Sequence, residues 1–317
     1  AKPSQAMTLG ECAAEFFTLK NLESRVRVKK DMDLLRAAAA TTRFGQTRLC
    51  MYENRFLPEQ ETQFAAMTFL LDDGTMFVVY RGTDNSLVGW KEDFNMTFQQ
   101  SIPAQRLAQE YIRRAAQSAE APIRVAGHSK GGNLAVFAAA RCSPQVRARI
   151  LEVYNNDGDP GYLEVVPRIH TFVPQSSVIG MLLEHEEPYQ VLRSSNVGIM
   201  QHDPYSWEVV GPDFVHVEGI TGSSQFMDAT IKNWFASMTN QERNQLVEEM
   251  YALLSTGTAE HASEVFQPKN ILTYAKTLSG DADMRHLLSE EFQGLITAAR
   301  KAYTTMSSTS LPAEKEK

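Results

Sequence analysis

Cysteine is scarce in this 317-residue chain: Cys12, Cys50 and Cys142 are odd in number, far apart and without C-x-x-C spacing. That pattern fits reduced thiols better than a disulfide framework or a zinc site, so no structural metal and no other cofactor are expected. Long apolar runs are missing too. No stretch reaches the roughly 18 apolar residues of a membrane-spanning helix, so no integral membrane segment is expected. Near the start, Glu11, Glu15, Lys20, Glu23 and Arg25 stand where a signal peptide would hold an apolar core, which predicts a cytoplasmic protein. An excess of positive charge is also absent. With 31 Lys and Arg against 38 Asp and Glu, the net charge of −7 argues against nucleic acid as a partner.

What is present is an ordinary globular balance, 43% hydrophobic and 22% charged. One α/β domain of roughly 200 to 250 residues with an accessory piece fits this length. "FAAMTFLLDDGTMFVVYRGT" reads as two strands, Phe64 to Leu71 and Met76 to Tyr80, joined by the turn dipeptide Asp73-Gly74. From Pro103 to Ala119 apolar residues recur at helical intervals behind a proline that can open a helix. "IRVAGHS" is a short buried strand, and "NLAVFAAARC" a nearly all-apolar helix. "RILEVY", "RIHTFVP" and "YQVLRSS" are further strand candidates. This alternation predicts a mostly parallel central sheet covered by helices, with ligands at the carboxyl ends of its strands. After residue 222 only helical signals remain, including a capping-box pattern from Thr239 to Glu242 and two amphipathic stretches near 268–279 and 283–304. The expected organisation is therefore a core over 1–222, a helical appendage over 223–305 and a disordered polar tail over 306–317. Capping of the site and self-association as a homo-oligomer are both open to the appendage.

The chemistry centres on Gly127-His128-Ser129-Lys130-Gly131, which matches G-x-S-x-G with a strand before it and a helix after it. In that setting the serine occupies a strained turn, the flanking glycines let strand and helix approach, and the Lys130 N–H can face an oxyanion. Serine needs a base, nearly always histidine, and an acid behind it, in the chain order Ser, acid, His. His128 lies inside the elbow, His170 in a strand, and His261 and His286 in the appendage. That leaves His202, in "MQHDPYSW", ranked ahead of His216 and His185. The strand after the nucleophile helix ends in "NNDGDPGY", offering Asp157 and Asp159, and Asp157 is the expected acid. The alternative for Asp157 is a turn aspartate.

"VVYRGTDNSLVGWKEDFNM" followed by "IRVAGHSKGGNLA" resembles the class 3, fungal-type lipases, which are α/β-hydrolases. With "YNNDGDPGY", "VPQSSVIG" and "QHDPYSW", the chain is still more similar to a bacterial branch of lipase-like α/β-hydrolases that shares the GHSKGG elbow. The resemblance spans about residues 30 to 250. It implies an α/β-hydrolase fold and an oxyanion hole from Lys130 and the third residue of the RGT element, Thr83, which can offer its backbone N–H and its hydroxyl. It also places Trp90 and Asp93 where those lipases hold an oxyanion loop or lid. The blander alternative is a structural Arg81–Asp93 ion pair with Trp90 in the core. At the lipases' catalytic aspartate this chain has Ser177, so either Asp157 supplies the acid or Ser129 and His202 act as a dyad. Lys130 stands where the lipases carry an apolar residue, which counts against a bulky lipid-facing lining.

The expected activity is hydrolysis of a small-molecule carboxylic ester or acyl substrate through an acyl-enzyme on Ser129. Acyl transfer by the same residues and a non-catalytic binding or scaffold role are the alternatives.

Overall fold

The structure is a computed structural model that describes residues 3–84, 86–156, 163–177, 180, 187–259, 264–265 and 267–309. The chain opens with β1 (Met7–Thr8), α1 (Leu9–Phe16), α2 (Lys29–Ala39) and α3 (Thr42–Gly45). An antiparallel meander follows: β2 (Arg48–Leu57), β3 (Thr62–Leu70) and β4 (Met76–Tyr80). Next come α4 (Leu87–Asn95), α5 (Pro103–Ser118), β5 (Ile123–His128), α6 (Lys130–Arg141), α7 (Pro144–Arg147), β6 (Ile150–Asn156), β7 (Ile169–Pro174) and β8 (Tyr189–Leu192). Short strands β9 (Val209–Val210), β10 (Asp213–Phe214) and β11 (His216–Val217) lead to α8 (Gly222–Ala236), α9 (Asn240–Ser255), α10 (Pro268–Gly280) and α11 (Ala282–Thr309).

Among the described residues, nine strands form one sheet in the order β1-β2-β3-β4-β5-β6-β7-β8-β11. Pairings from β4 to β8 are parallel, whereas β1 to β4 and the β8–β11 edge are antiparallel. The sheet is thus mixed, with its parallel part in the centre, where the crossovers through α5 and α6 place it. This is an α/β-hydrolase fold.

The reason these segments pair lies in their side chains. Val78, Val125 and Val153 come from three neighbouring strands and are fully buried. Above them Ala135, Ala138 and Ala139 give α6 a small-residue face that lets the helix lie close to the sheet, with Leu134 buried beside them. Phe64, Tyr80 and Tyr111 fill the space under α5, and their hydroxyls are satisfied: Tyr80 donates to the Ala108 carbonyl and Tyr111 to that of Met51. Both parallel strands next to the elbow end at the same edge of the sheet. That edge carries the candidate site.

The capping box at Thr239 and Glu242 forms as expected. Helix α11 runs to Thr309, past the expected start of the tail at 306; residues 310–317 lie outside the described ones. Among the described residues, no helix is long and apolar enough to cross a membrane.

Candidate active site

Strand β5 delivers the chain to Ser129 between β4 and β6. There the backbone takes φ 58° and ψ −133°, a conformation that belongs to glycine. Its N–H donates to the Asn156 carbonyl at 2.9 Å, which anchors the turn to the end of β6. Bare glycines make the turn feasible. A Cβ on Gly127 would lie 2.0 Å from the Gly131 carbonyl, and one on Gly131 would lie 2.3 Å from the Tyr80 carbonyl. Strand β5, helix α6 and the end of β4 therefore meet backbone against backbone.

The RGT segment is part of that contact. A Cβ on Gly82 would sit 2.5 Å from the His128 carbonyl and 3.2 Å from the Ser129 Cβ, so Gly82 packs directly on the Ser129 turn. Thr83 follows it. The Thr83 hydroxyl donates to Asp93 Oδ2 at 2.5 Å, a length typical of a hydroxyl bound to a carboxylate. This changes the expected oxyanion pair: a hydroxyl has one proton, and here an ionised Asp93 takes it. The backbone N–H is what remains of Thr83 for an oxyanion.

Burial pushes the Asp93 carboxyl up to about 6, although the Lys130 charge, the Thr83 bond and His202 all pull it down. The folded protein thus holds this proton more tightly than the unfolded chain, where aspartate titrates near 4. Stability from this group falls as pH rises between about 4 and about 6, and is level above that. Asp93→Asn is expected to remove the slope, which a comparison of thermal midpoints across that interval would read. Parallel curves for the two proteins would contradict the account.

Lys130 itself is resolved by its side chain. Its ammonium, wholly shielded from solvent, donates to the Gln63 carbonyl, to Gln63 Oε1 and to Glu92 Oε2, each at 2.9 Å. All three protons are used. Glu92 is equally satisfied: Oε2 accepts the Gln63 N–H at 3.0 Å and Oε1 accepts the Ala104 N–H at 2.9 Å, in the first turn of α5. The lysine is not a polar lining of a substrate cleft. It is an anchor below the elbow, tying α6 to β3 and α4 while its backbone N–H starts the helix.

His202 closes a 3-10 turn, Gly198–His202. His128 Nε2 lies 2.9 Å from the His202 carbonyl, and the two rings stand 4.5 Å apart, so the His202 loop rests on the residue before Ser129. Gln201 holds that loop from behind, accepting the Ser176 N–H at 2.8 Å and donating to the Asn196 carbonyl at 2.7 Å. The Trp207 indole packs edge-on to His128 and donates to the Gln201 carbonyl. "QHDPYSW" is thus a braced turn at the elbow, and Asp203 within it caps the next turn through the Tyr205 N–H.

The other candidates fall elsewhere. His216 is on edge strand β11, with its ring 3.6 Å from Asp213, and among the described residues no hydrogen bond joins it to the elbow. His170 stacks on Tyr154, and His286 pairs with Glu290 on α11. Asp157, Asp159, His185 and His261 lie outside the described residues. Ser177 is buried in the turn after β7, with its hydroxyl accepting the Gly180 N–H at 3.2 Å. The Arg81–Asp93 pair does not form: Arg81 reaches Asn54 and Asp84, because Asp93 faces Thr83. Trp90 is 45% exposed and not a core residue.

The Mbeg1-like family model matches residues 38–252, which takes in β2 through most of α9 and every described site residue. The chain belongs to the Mbeg1-like family. No curated protein matches this Mbeg1-like chain. Among solved structures it is similar to a mutant of MDLA from Penicillium cyclopium, at 12% identity over 68% of this chain and 86% of that one, with a TM-score of 0.38. A fungal lipase–inhibitor complex follows at 15% identity, covering 61% and 83%, TM-score 0.34. The Rhizomucor miehei lipase–propeptide complex stands at 15% identity, covering 61% and 72%, TM-score 0.35. Overlaps this loose transfer no residue roles, so those of the Mbeg1-like chain rest on its own geometry.

Proposed function

We propose that this protein is a serine hydrolase of carboxylic esters that works through an acyl-enzyme on Ser129. The observation that carries the reading is the elbow: a non-glycine residue held at φ 58° between bare glycines, at the start of α6, with Gly82 packed on its Cβ. Strain of this kind is expensive and is kept where a side chain must project at a defined point. In the proposed reaction Ser129 Oγ attacks the ester carbonyl while His202 takes its proton. The Lys130 and Thr83 N–H groups receive the oxyanion, and the alcohol leaves with the proton that His202 returns. Water then repeats the sequence to release the acid. Asp157 is the proposed acid behind His202. Residues 1–222 form the catalytic core in this reading, with 223–305 as its appendage.

The test is labelling of the native full chain by a fluorophosphonate probe, with the site mapped by peptide mass, alongside turnover of p-nitrophenyl esters of graded acyl length. Stoichiometric labelling at Ser129 and ester turnover are expected. No labelling of the native chain, or labelling elsewhere, overturns the proposal.

A further inference from the structure

Lys91, Glu92 and Asp93 are consecutive on α4, so their side chains leave the helix about 100° apart and meet three different layers. Glu92 enters the core at Lys130, and Asp93 reaches the site at Thr83. Lys91 turns toward the appendage. Its ammonium, with the side chain only 5% exposed, lies 2.8 Å from Glu61 Oε1 and 2.8 Å from Glu248 Oε2 on α9. The Tyr251 ring, one turn further along α9, covers it at 4.6 Å. Glu61 is fixed in turn by Asn95 at the end of α4, which donates to its Oε2 at 2.9 Å. At the start of α4, Leu87 packs into an apolar cluster with Ala259, Val265 and Tyr274. The appendage therefore grips α4 at its first turn and in its middle, while the same helix presents Asp93 to Thr83.

We propose that Lys91 is a positioning residue: held by Glu248 of the appendage and Glu61 of the core, it fixes α4 so that Asp93 keeps Thr83 in place beside Ser129. The physical argument is leverage within one rigid helical turn. Asp93 is two residues from Lys91, and a bond of 2.5 Å tolerates little displacement of its carboxylate. The oxyanion role of Thr83 rests on the hydrolase reading above; the mechanical coupling does not.

Both parts can be read separately on the full chain. Glu248 is half-exposed on a helix surface, so Glu248→Ala is expected to fold. Hydrogen exchange over residues 82–95 should quicken about fivefold in this variant, with β5 and α6 unchanged. For p-nitrophenyl butyrate, kcat should fall about tenfold with KM within about twofold, because the contact strengthened in the transition state is the one displaced. Glu248→Gln, which keeps an acceptor for Lys91, should recover more than half of that loss. In an Asp93→Asn background Glu248→Ala should add nothing further, as expected for two changes on one path. Unchanged exchange over 82–95 overturns the coupling, and so do fully additive kcat losses. A wild-type chain with neither turnover nor probe labelling overturns the hydrolase reading instead, and the exchange result still decides the coupling.

Discussion

Ser129→Gly should abolish ester turnover and at the same time make the protein more stable. In the proposed reaction, loss of the Ser129 oxygen removes the acyl-enzyme route, and deleting a nucleophile of this class costs about 10⁴-fold or more in kcat. The stability gain has a separate origin. At φ 58° and ψ −133° Ser129 carries strain on the order of 1–3 kcal/mol, which glycine releases. Glycine loses about 0.5–1 kcal/mol of that through its greater freedom in the unfolded chain. A net gain of about 1 kcal/mol corresponds to a rise of roughly 2–4 °C in the thermal midpoint. Ser129→Ala is the control, since alanine has the same backbone conflict: turnover is lost and the midpoint stays where it was. A glycine variant that melts below the alanine variant would mean that the turn is not strained.

Lys130→Met should cost far more stability than any surface change, about 3–5 kcal/mol, because it leaves the Glu92 carboxylate buried without its counter-ion. The packing volume is nearly conserved, so the loss reports charge and hydrogen bonds more than cavity formation. Methionine also leaves the Gln63 carbonyl and Oε1 without the Lys130 donor. Adding Glu92→Gln to Lys130→Met should recover at least half of the loss, since the remaining amide is neutral and can still accept one of the two backbone N–H groups now held by Glu92. Urea unfolding of the two variants beside the wild type would read this directly. A double variant no more stable than Lys130→Met would show that the charge of Glu92 is not what the single change exposes.

The parts of this molecule written in local pattern could be read from the sequence. Strand, elbow and helix around Ser129 follow from β-branched residues, two glycines and an alanine-rich run; the hairpin from Met76 back to Leu70 follows from Asp73-Gly74; and Thr239 with Glu242 marks a helix start. His202 was legible as a loop histidine after the last parallel strand, and the structure brings its loop onto His128. What could not be read was written in long-range partners. Glu92 and Gln63 lie 38 and 67 residues from Lys130, and no local rule joins them. The one available signal was chemical: a lysine directly after a buried turn requires a carboxylate, and "WKED" offered two. Asp93 was readable as a pair for Arg81 only because both are charged and near in sequence; the direction of its side chain, set by where α4 packs, sends it to Thr83 instead. No strand was expected before Phe64, yet β2 pairs along nearly the whole of β3. Its inward and outward residues do not alternate cleanly, because a bulge between Cys50 and Glu53 shifts the register.

The three charges of α4 also decide how a substrate can arrive. A helix that swings aside as a gate must present a face it can uncover cheaply, and α4 has none: outward rotation would expose the Lys130–Glu92 pair, part Lys91 from two carboxylates and release Thr83. The Gly198–His202 turn, which rests on His128, carries exposed apolar residues, with Val197 just before it 80% exposed and Met200 within it 63% exposed. In the proposed reaction α4 is therefore a fixed wall of the site and not a moving door.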